Sequence, residues 1–233
     1  MNLSVCIATR NGEKYIGEQL ASILRQLGPE DEVVISDDSS TDGTLEVIRG
    51  FADARIRLYP GNTFFSPAYN LENALRRAAG DVIVLADQDD VWLDNKLPLV
   101  RQTFEGKTGR IHLAAFDACV IDADGRMTAP SLFERNRAGT GLLKNLYDNT
   151  YTGCTLAFTR ELLAVALPFP AGIPMHDSWL GLLAERCGEV EFVHETTMRY
   201  RRHGANVSYR RPLREQLRGR FCLAWNVWKR KRL

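Results

Sequence analysis

The sequence contains no apolar run of about 18 residues, the minimum for a membrane-spanning helix. It also lacks a Cys-x-x-Cys pair, and its five cysteines are widely spaced, which argues against a disulfide framework and a zinc site. Thirty Lys and Arg nearly balance 29 Asp and Glu, and 45% of the 233 residues are hydrophobic. This composition excludes collagen-like, low-complexity and broadly disordered proteins.

Two further absences narrow the class of protein. The N-terminus, MNLSVCIATRNG, becomes polar too early to contain the apolar core of a signal peptide, so we expect a cytoplasmic protein. No Gly-x-Gly-x-x-Gly follows the first apolar run, which disfavours a Rossmann oxidoreductase. A chain of this length can bury one sizeable core without disulfides or metals. We therefore expect one large domain, with or without an appendage.

Charge is distributed unevenly along the chain. Residues 199–233 contain twelve Lys and Arg and one acid, Glu215, so this tail carries a charge of +11 and the remainder carries −10. A basic tail on an acidic body suggests a polyanionic partner at one end of the molecule. A membrane surface or a phosphorylated substrate would fit.

The first hundred residues alternate short apolar runs with amphipathic stretches. Such runs predict buried strands, and apolar spacings of three and four residues predict helices. Their order favours an α/β fold, a Rossmann-like, mostly parallel sheet flanked by helices. The predicted strands are Leu3–Ala8, Glu32–Ser36, Arg55–Tyr59 and Asp81–Ala86. The first predicted helix is Glu13–Leu27, and a second follows a cap at Thr41 or Asp42. The third is Pro67–Ala79, which Gly80 would end.

The pattern is less regular after about residue 110. A DADG turn predicts a hairpin at Asp122–Gly125, and residues 130–149 are expected to form an extended loop. The remaining predicted elements are strands at Ile111–Ile121, Thr155–Phe158 and Glu191–Val193 and a helix at His176–Arg186.

An acidic cluster follows the fourth predicted strand, where ligands bind in sheets of this kind. Asp87, Asp89 and Asp90 crowd there, and a divalent cation would relieve the repulsion between their carboxylates. Mg²⁺ and Mn²⁺ prefer oxygen ligands and are often shared with substrate phosphates. This Asp-x-Asp pattern therefore predicts a diphosphate substrate. The alternative is a solvated loop of capping aspartates.

A second acidic cluster, Asp37 and Asp38, follows the second strand. A carboxylate at this position can accept a hydrogen bond from the imide N–H of uracil or thymine, and its neighbour can bind ribose hydroxyls. The alternative is that these residues turn the chain into the next helix.

The strings VCIATRNGEKYIGEQLASIL, VVISDDSSTDGT and AAGDVIVLADQDDVW resemble the nucleotide-sugar-binding half of glycosyltransferase family 2, which has the GT-A fold. YTGCTLAF, MHDSW and YRRHGANVS resemble the acceptor half of bacterial, rhamnosyltransferase-like members. The resemblance implies one GT-A domain over residues 1–208, with a nucleotide-sugar-binding half at 1–105 and an acceptor half at 106–208, followed by a basic amphipathic tail at 209–233.

The resemblance also implies roles for individual residues. Asp177 matches the catalytic base, Asp89 the metal ligand, and His203 a third metal ligand or a diphosphate contact. His176 before Asp177 departs from the Glu-Asp that is frequent in the family. The residues expected to bind the nucleotide sugar are Thr9, Arg10, Asn11, Glu13, Asp38, Asn70, Asp87, Gln88, Arg201 and Arg202, and those expected near the acceptor are Trp92, His176 and Trp179. The alternative for each tryptophan is a place in the core or the wall.

The tail itself has the pattern of an amphipathic helix with basic residues. Leu213, Leu217, Phe221, Trp225 and Trp228 recur at three- and four-residue spacing, and Lys229, Arg230, Lys231 and Arg232 close the run. There are two alternatives for this apolar stripe. It lies on the inner face of the cytoplasmic membrane, or it packs against the domain. No recognition module suggests a nucleic-acid partner.

Together these features predict a metal-dependent inverting glycosyltransferase. It would use Mg²⁺ or Mn²⁺ and transfer a sugar, with rhamnose as the first candidate, from a UDP- or dTDP-sugar to a saccharide or lipid-linked saccharide. Such a reaction belongs to bacterial surface polysaccharide synthesis. The alternatives are a sugar nucleotidyltransferase, which should have a Gly-rich, Arg-containing loop after the first strand, and a non-catalytic saccharide- or membrane-binding protein derived from a transferase.

Overall fold

The computed structural model describes residues 1–204 and 212–230. The strands in this part of the chain are β1 Leu3–Thr9, β2 Glu32–Asp37, β3 Ile56–Tyr59, β4 Val82–Ala86, β5 Val91–Trp92, β6 His112–Ile121, β7 Met127–Ala129, β8 Leu156–Thr159 and β9 Glu189–Arg201. They form one mixed sheet in the order β3-β2-β1-β4-β8-β6-β9-β5, with β7 paired to β6.

Helices pack on both faces of this sheet. They are α1 Glu13–Leu24, α2 Thr44–Gly50, α3 Pro67–Leu75, α4 Lys96–Phe104, α5 Leu132–Asn136, α6 Leu142–Tyr147, α7 Glu161–Ala166, α8 His176–Cys187 and α9 Leu213–Lys229. No helix within the described ranges is both long enough and apolar enough to span a bilayer.

The first four strands are parallel and form the predicted Rossmann-like half. Side chains alternate along a strand, so β1 contributes to two cores: Leu3, Val5 and Ile7 pack with α1 on one face, and Cys6 packs with α3 on the other. The predicted strands and helices of this half are confirmed within a few residues, apart from the end of α3.

The prediction that the third helix runs to Ala79 and ends at Gly80 is wrong, because α3 ends at Leu75. Gly80 is required for a different reason. A Cβ at this position would lie 2.6 Å from the backbone nitrogen of Ser4, so only glycine allows the close approach to β1.

The second half of the sheet is mixed rather than parallel. β8 runs antiparallel to β4 and to β6, whereas β6 and β9 are parallel. The predicted hairpin turn is confirmed, since the backbone N–H of Asp122 donates to the carbonyl of Arg126 at 2.9 Å. The prediction of an extended loop at 130–149 is wrong because it contains α5 and α6, which are too short to show helical periodicity in sequence.

Helix α9 confirms the predicted C-terminal amphipathic helix. Leu223 and Val227 are buried against the domain, whereas Phe221 is 72% exposed and Trp228 is 77% exposed. Of the two alternatives left open for the apolar stripe, packing on the domain does not hold for Leu217, Phe221, Trp225 and Trp228, which are all exposed. Lys231, Arg232 and the predicted boundary at residues 208 and 209 lie outside the described residues.

Candidate active site

A cavity of about 940 Å³ opens at the carboxyl ends of β1, β2 and β4. Polar loops that follow these strands meet here because parallel strands end at the same edge of the sheet. The structure brings eleven of the sixteen predicted site residues to its walls: Thr9, Arg10, Asn11, Asp38, Asn70, Asp87, Gln88, Asp89, His176, Asp177 and His203.

The loops after β1 and β4 are joined by a reciprocal pair of hydrogen bonds. The backbone N–H of Arg10 donates to Oε1 of Gln88 at 3.0 Å, and Nε2 of Gln88 donates to the carbonyl of Arg10 at 3.1 Å. Gly12 makes room for this contact, since a Cβ there would lie 2.5 Å from the Gln88 oxygen. Gln88 therefore orders the backbone of the first loop.

The two adjacent aspartates in the loop after β2 have different contacts. Asp37 is a structural residue: it accepts hydrogen bonds from the Thr9 hydroxyl at 2.8 Å and from the backbone N–H of Ser40 at 2.9 Å. Asp38 lines the cavity, and one of its oxygens accepts from the backbone N–H of Phe64 at 2.7 Å. The carboxylate available to a ligand at this strand end is thus that of Asp38.

Asn70, on α3, connects the first two strands beneath the cavity floor. Its Nδ2 donates to the carbonyl of Thr9 at 3.1 Å, and its Oδ1 accepts from the Ser36 hydroxyl at 2.7 Å. The side chain is 2% exposed. Asn70 therefore supports the loops that line the cavity.

Asp89 and His203 meet although they are 114 residues apart in sequence. Nε2 of His203 lies 2.8 Å from Oδ2 of Asp89, and its ring stacks on Tyr15 with centroids 5.0 Å apart. A carboxylate is a ligand for both Mn²⁺ and Mg²⁺, whereas an imidazole suits a transition metal such as Mn²⁺ better than the hard Mg²⁺. The donor set therefore fits Mn²⁺ better than Mg²⁺.

A tighter acidic cluster lies beside this pair. The ligand atoms of Asp87, Asp90 and Cys154 are within 4.8 Å of one another. Asp87 is exposed at the cavity, and its partly desolvated position there together with the charge of Asp89 raises its pKa. Burial and both neighbouring aspartates raise the pKa of Asp90 well above its usual value. Burial also raises the pKa of the Cys154 thiol, so it remains protonated and is a poor ligand for a hard cation. The oxygen-rich side of the cluster, toward Asp89, is the part suited to Mg²⁺ or Mn²⁺.

Asp177 lies in the first turn of α8 and faces the same cavity. Its Oδ1 accepts from the backbone N–H of Ser178 at 2.5 Å. Burial raises the pKa of Asp177 to about 6, although the Ser178 N–H and the Asn149 amide partly oppose the shift. A carboxylate with a pKa near neutrality can accept a proton as a general base.

His176 precedes this carboxylate and is 8% exposed at the cavity wall. Neither ring nitrogen has a hydrogen-bond partner within the described part of the chain. Burial lowers the pKa of His176 to about 4, so the ring is neutral and offers one donor and one acceptor. Gly153 packs against it, since a Cβ there would lie 2.3 Å from Nε2. Both ring nitrogens are buried, so His176 forms a neutral part of the cavity wall beside the candidate base.

Two predicted acceptor contacts do not fit the structure. Trp92 and Trp179 are both 0% exposed, and Nε1 of Trp179 donates to the carbonyl of Ala166 at 3.0 Å. Both indoles fill the core behind the cavity, where no saccharide can reach them. Large aromatic side chains bury extensive apolar area, which outweighs stacking on a sugar.

Three predicted nucleotide-sugar contacts also lie away from the cavity. Oε2 of Glu13 accepts from the backbone N–H of Gly43 at 3.0 Å and joins α1 to α2. The Arg201 guanidinium donates to Glu18 at 2.8 Å and to the carbonyl of Asp89 at 2.9 Å. Arg202 is exposed. Arg201 therefore supports the metal-ligand loop from behind and does not face the cavity.

The sequence reasoning missed several residues at the site. Cys154 lies in YTGCTLAF, and nothing in its spacing indicates the acidic neighbours. Asn149 lies in the segment predicted as loop, yet its amide contacts Asp177. Tyr15 could have been found from its position one turn beyond the first loop, on the cavity side of α1.

Comparison with known proteins identifies similar chains. A family model described as Glycosyl transferase family 2 matches residues 4–164. A dTDP-rhamnosyl transferase, RfbG of Shigella flexneri, is 27% identical over 97% of this chain and 81% of its own length. WfgD of Escherichia coli, a UDP-Glc:α-D-GlcNAc-diphosphoundecaprenol β-1,3-glucosyltransferase, is 32% identical over 42% of this chain and 38% of its own. An uncharacterised glycosyltransferase of Nostoc, alr2836, is 26% identical over 88% of this chain and 66% of its own length. The chain therefore spans only part of the length of alr2836 and of WfgD.

Solved structures support the fold. TarS of S. aureus, residues 1–349 with UDP-GlcNAc bound, superposes with a TM-score of 0.74 at 21% identity, covering 99% of this chain and 68% of the TarS chain. This likeness confirms the predicted GT-A fold.

Proposed function

The chain belongs to glycosyltransferase family 2, and from this premise we propose that it is a metal-dependent inverting glycosyltransferase. Its donor is a UDP- or dTDP-sugar, with dTDP-rhamnose as the first candidate because RfbG is a dTDP-rhamnosyl transferase. Its acceptor is a saccharide or lipid-linked saccharide in bacterial surface polysaccharide synthesis, as the diphosphoundecaprenol acceptor of WfgD suggests. The reaction takes place in the cytoplasm.

One observation supports this function above the others. Asp177 at the start of α8, Asp89 after β4 and His203 after β9 line a single cavity with the loops after β1 and β2. An inverting transfer requires this arrangement, because the base must lie on one side of the reacting sugar and the leaving diphosphate on the other.

The loops of the first half bind the donor in this proposal. Asp38 accepts a hydrogen bond from the imide N–H of uracil or thymine, and Thr9 and Asn11 border the base and ribose. The Arg10 guanidinium, which stacks over Phe65 at 5.2 Å from the ring centroid, offers positive charge at the mouth of the cavity. Asp87 and Gln88 border the ribose and the sugar.

Asp89 and His203 would hold Mg²⁺ or Mn²⁺, which when bound stabilises the negative charge that develops on the leaving diphosphate. A diphosphate so neutralised departs without protonation, so a second acidic residue is not needed. This agrees with the presence of one candidate base at the acceptor side.

Asp177 removes the proton from the acceptor hydroxyl. The hydroxyl oxygen forms a bond to the anomeric carbon, the bond from that carbon to the diphosphate oxygen breaks with its electron pair on the diphosphate, and the proton remains on Asp177. Attack from the face opposite the leaving group inverts the anomeric configuration. His176, with its neutral ring in the cavity wall beside Asp177, shapes the side of the cavity from which the hydroxyl approaches.

The proposal is tested with purified protein in two steps. Isothermal titration with UDP and dTDP, with and without Mn²⁺, should show binding that depends on the metal. A panel of nucleotide sugars is then assayed for metal-dependent donor hydrolysis, and the hits are repeated with lipid-linked acceptors. Absence of metal-dependent binding and of hydrolysis across the panel would contradict the proposed function.

A further inference from the structure

The described surface contains an aromatic patch that the catalytic cavity does not use. We define the aromatic–basic face as Leu217, Phe221, Trp225 and Trp228 of α9 together with Leu143 and Tyr147 of α6. Their side chains are 51% to 80% exposed. Monomeric soluble proteins rarely expose so many large apolar side chains in one place, and such patches mark interaction sites.

These side chains are exposed although α9 itself is packed against the domain, because they lie on the face of the helix that points away from it. Leu223 and Val227, on the opposite face of α9, are 3% and 5% exposed. The helix is also fixed by polar contacts, because the Arg186 guanidinium donates to the carbonyls of Val227 and, at 2.7 Å, of Arg230. α9 therefore docks on the domain by one face and presents the aromatic face outward.

Cations are interleaved with these aromatics. By helical periodicity Arg214, Arg218 and Lys229 share the outward face of α9 with Phe221 and Trp225. All three basic side chains are exposed. The ammonium group of Lys229 lies 4.3 Å from the centroid of the Trp225 ring.

The face continues onto α6 and toward the catalytic base. The Arg220 guanidinium lies 4.5 Å from the centroid of Tyr147 and bridges the two helices. α6 leads within two residues to Asn149, whose amide contacts Asp177. On the other side, Gly219 of α9 packs against Pro174, three residues before Asp177.

We propose that the aromatic–basic face docks on the surface of an anionic lipid bilayer. Trp and Tyr side chains prefer the boundary between headgroups and acyl chains, and exposed Lys and Arg beside them are attracted to anionic lipids. This inference rests on the proposed function. Docking of the face would bring the acceptor side of the cavity to the membrane surface, where the sugar of a lipid-diphosphate-linked acceptor lies.

Vesicle co-sedimentation of the full chain tests the proposal. Vesicles of phosphatidylcholine alone are compared with vesicles that also contain phosphatidylglycerol, at low and high salt. We expect binding to the anionic vesicles only, weakened by salt. Simultaneous substitution Phe221→Ser, Trp225→Ser and Trp228→Ser should reduce this binding by about tenfold or more, since burial of aromatic area is lost.

A second variant separates charge from apolar area. Arg214→Glu with Arg218→Glu should reduce binding to anionic vesicles by about tenfold or more and weaken its salt dependence. Met127→Ser, which removes an apolar side chain that is 66% exposed on β7, is the matched control and should bind as the unmodified protein does. Circular dichroism and thermal unfolding confirm that each variant is folded.

Two outcomes would overturn the proposal. One is equal binding of the unmodified protein to neutral and anionic vesicles, or to none. The other is a concentration-dependent dimer in analytical ultracentrifugation that the triple variant abolishes, because a second copy of the chain would then cover the face. Donor hydrolysis in solution, without vesicles, is measured separately. Failure of membrane binding therefore does not contradict the proposed catalytic function, and failure of donor hydrolysis does not contradict membrane binding.

Discussion

In residues 1–105 the loops that line the cavity are hydrogen-bonded to one another, whereas the cavity wall from residues 106–204 includes a buried polar ring without a partner in the described part of the chain. Gln88 exchanges two hydrogen bonds with the backbone of Arg10, and Oδ1 of Asn11 accepts from the backbone N–H of Thr41 at 2.8 Å. By contrast, neither ring nitrogen of His176 has a hydrogen-bond partner among the described residues. The loops of the first half are therefore preorganised, and the second half places the candidate base Asp177 at the cavity.

This difference indicates how the two halves divide the reaction. A nucleoside diphosphate is a constant part of the donor, so a rigid set of loops binds it at low cost in ordering. Acceptors contribute the hydroxyl that reacts, and the residues near it act on the transition state. We therefore expect changes in the first half to alter donor affinity and changes in the second to alter turnover.

The largest effect is expected for Asp177→Asn, in the second half. General-base catalysis contributes roughly 10²- to 10⁴-fold, so transfer should fall by about that factor. Metal-dependent UDP or dTDP binding should be retained because the donor loops are unchanged. Steady-state kinetics and titration calorimetry measure the two effects. The exposed Asp148→Asn is the control, and full activity in Asp177→Asn would remove the base assignment.

A smaller but distinct effect is expected for Asp89→Ala in the first half. Loss of this carboxylate should remove the gain in nucleotide affinity that Mn²⁺ produces, about tenfold or more for a lost ligand. Calorimetry with and without Mn²⁺ measures the gain. Asp94→Ala, which removes an exposed partner of Arg25, should keep it. An undiminished Mn²⁺ effect in the Asp89 variant would show that the metal binds elsewhere.

The pH dependence of turnover tests the second half further. Because burial raises the pKa of Asp177 to about 6, kcat should fall as pH decreases through that value and be about tenfold lower one pH unit below it. Asn149→Ala removes a contact that holds this pKa down, so the inflection should move to higher pH. A lower kcat with an unmoved inflection would mean that Asn149 has only a structural role.

The smallest effect is expected for Gln88→Ala, which removes the tie between the loops after β1 and β4. Both hydrogen bonds are exposed to solvent and contribute roughly 0.5 kcal/mol each, so KM for the donor should rise about fivefold while kcat changes less. The exposed Gln102→Ala on α4 is the control. A fall in kcat without a change in KM would contradict the division between the two halves.

Much of the first half could be predicted from sequence. The runs that became β1, β2 and β4 are continuous in apolar residues, as buried parallel strands are, and their ends place Thr9, Asp38 and Asp87 at one edge of the sheet. Gly80 was misassigned because a glycine near a helix end resembles a cap, while its true role depends on contact with β1.

Less of the second half could be predicted. α5 and α6 are short, so their periodicity does not distinguish them from loop. Trp92 and Trp179 were expected at the acceptor because aromatic residues near a motif resemble sugar platforms, but burial is decided by neighbours that a linear pattern does not contain.

The sequence by itself determined the order of strands and helices over residues 3–86 and the polar residues at their strand ends, because periodicity and turn chemistry act over a few neighbouring residues. Only the tertiary structure decided that His203 meets Asp89, that Cys154 lies against Asp87 and Asp90, and which face of α9 is exposed. These contacts join residues far apart in the chain, and which of them form depends on how the elements pack around a common core.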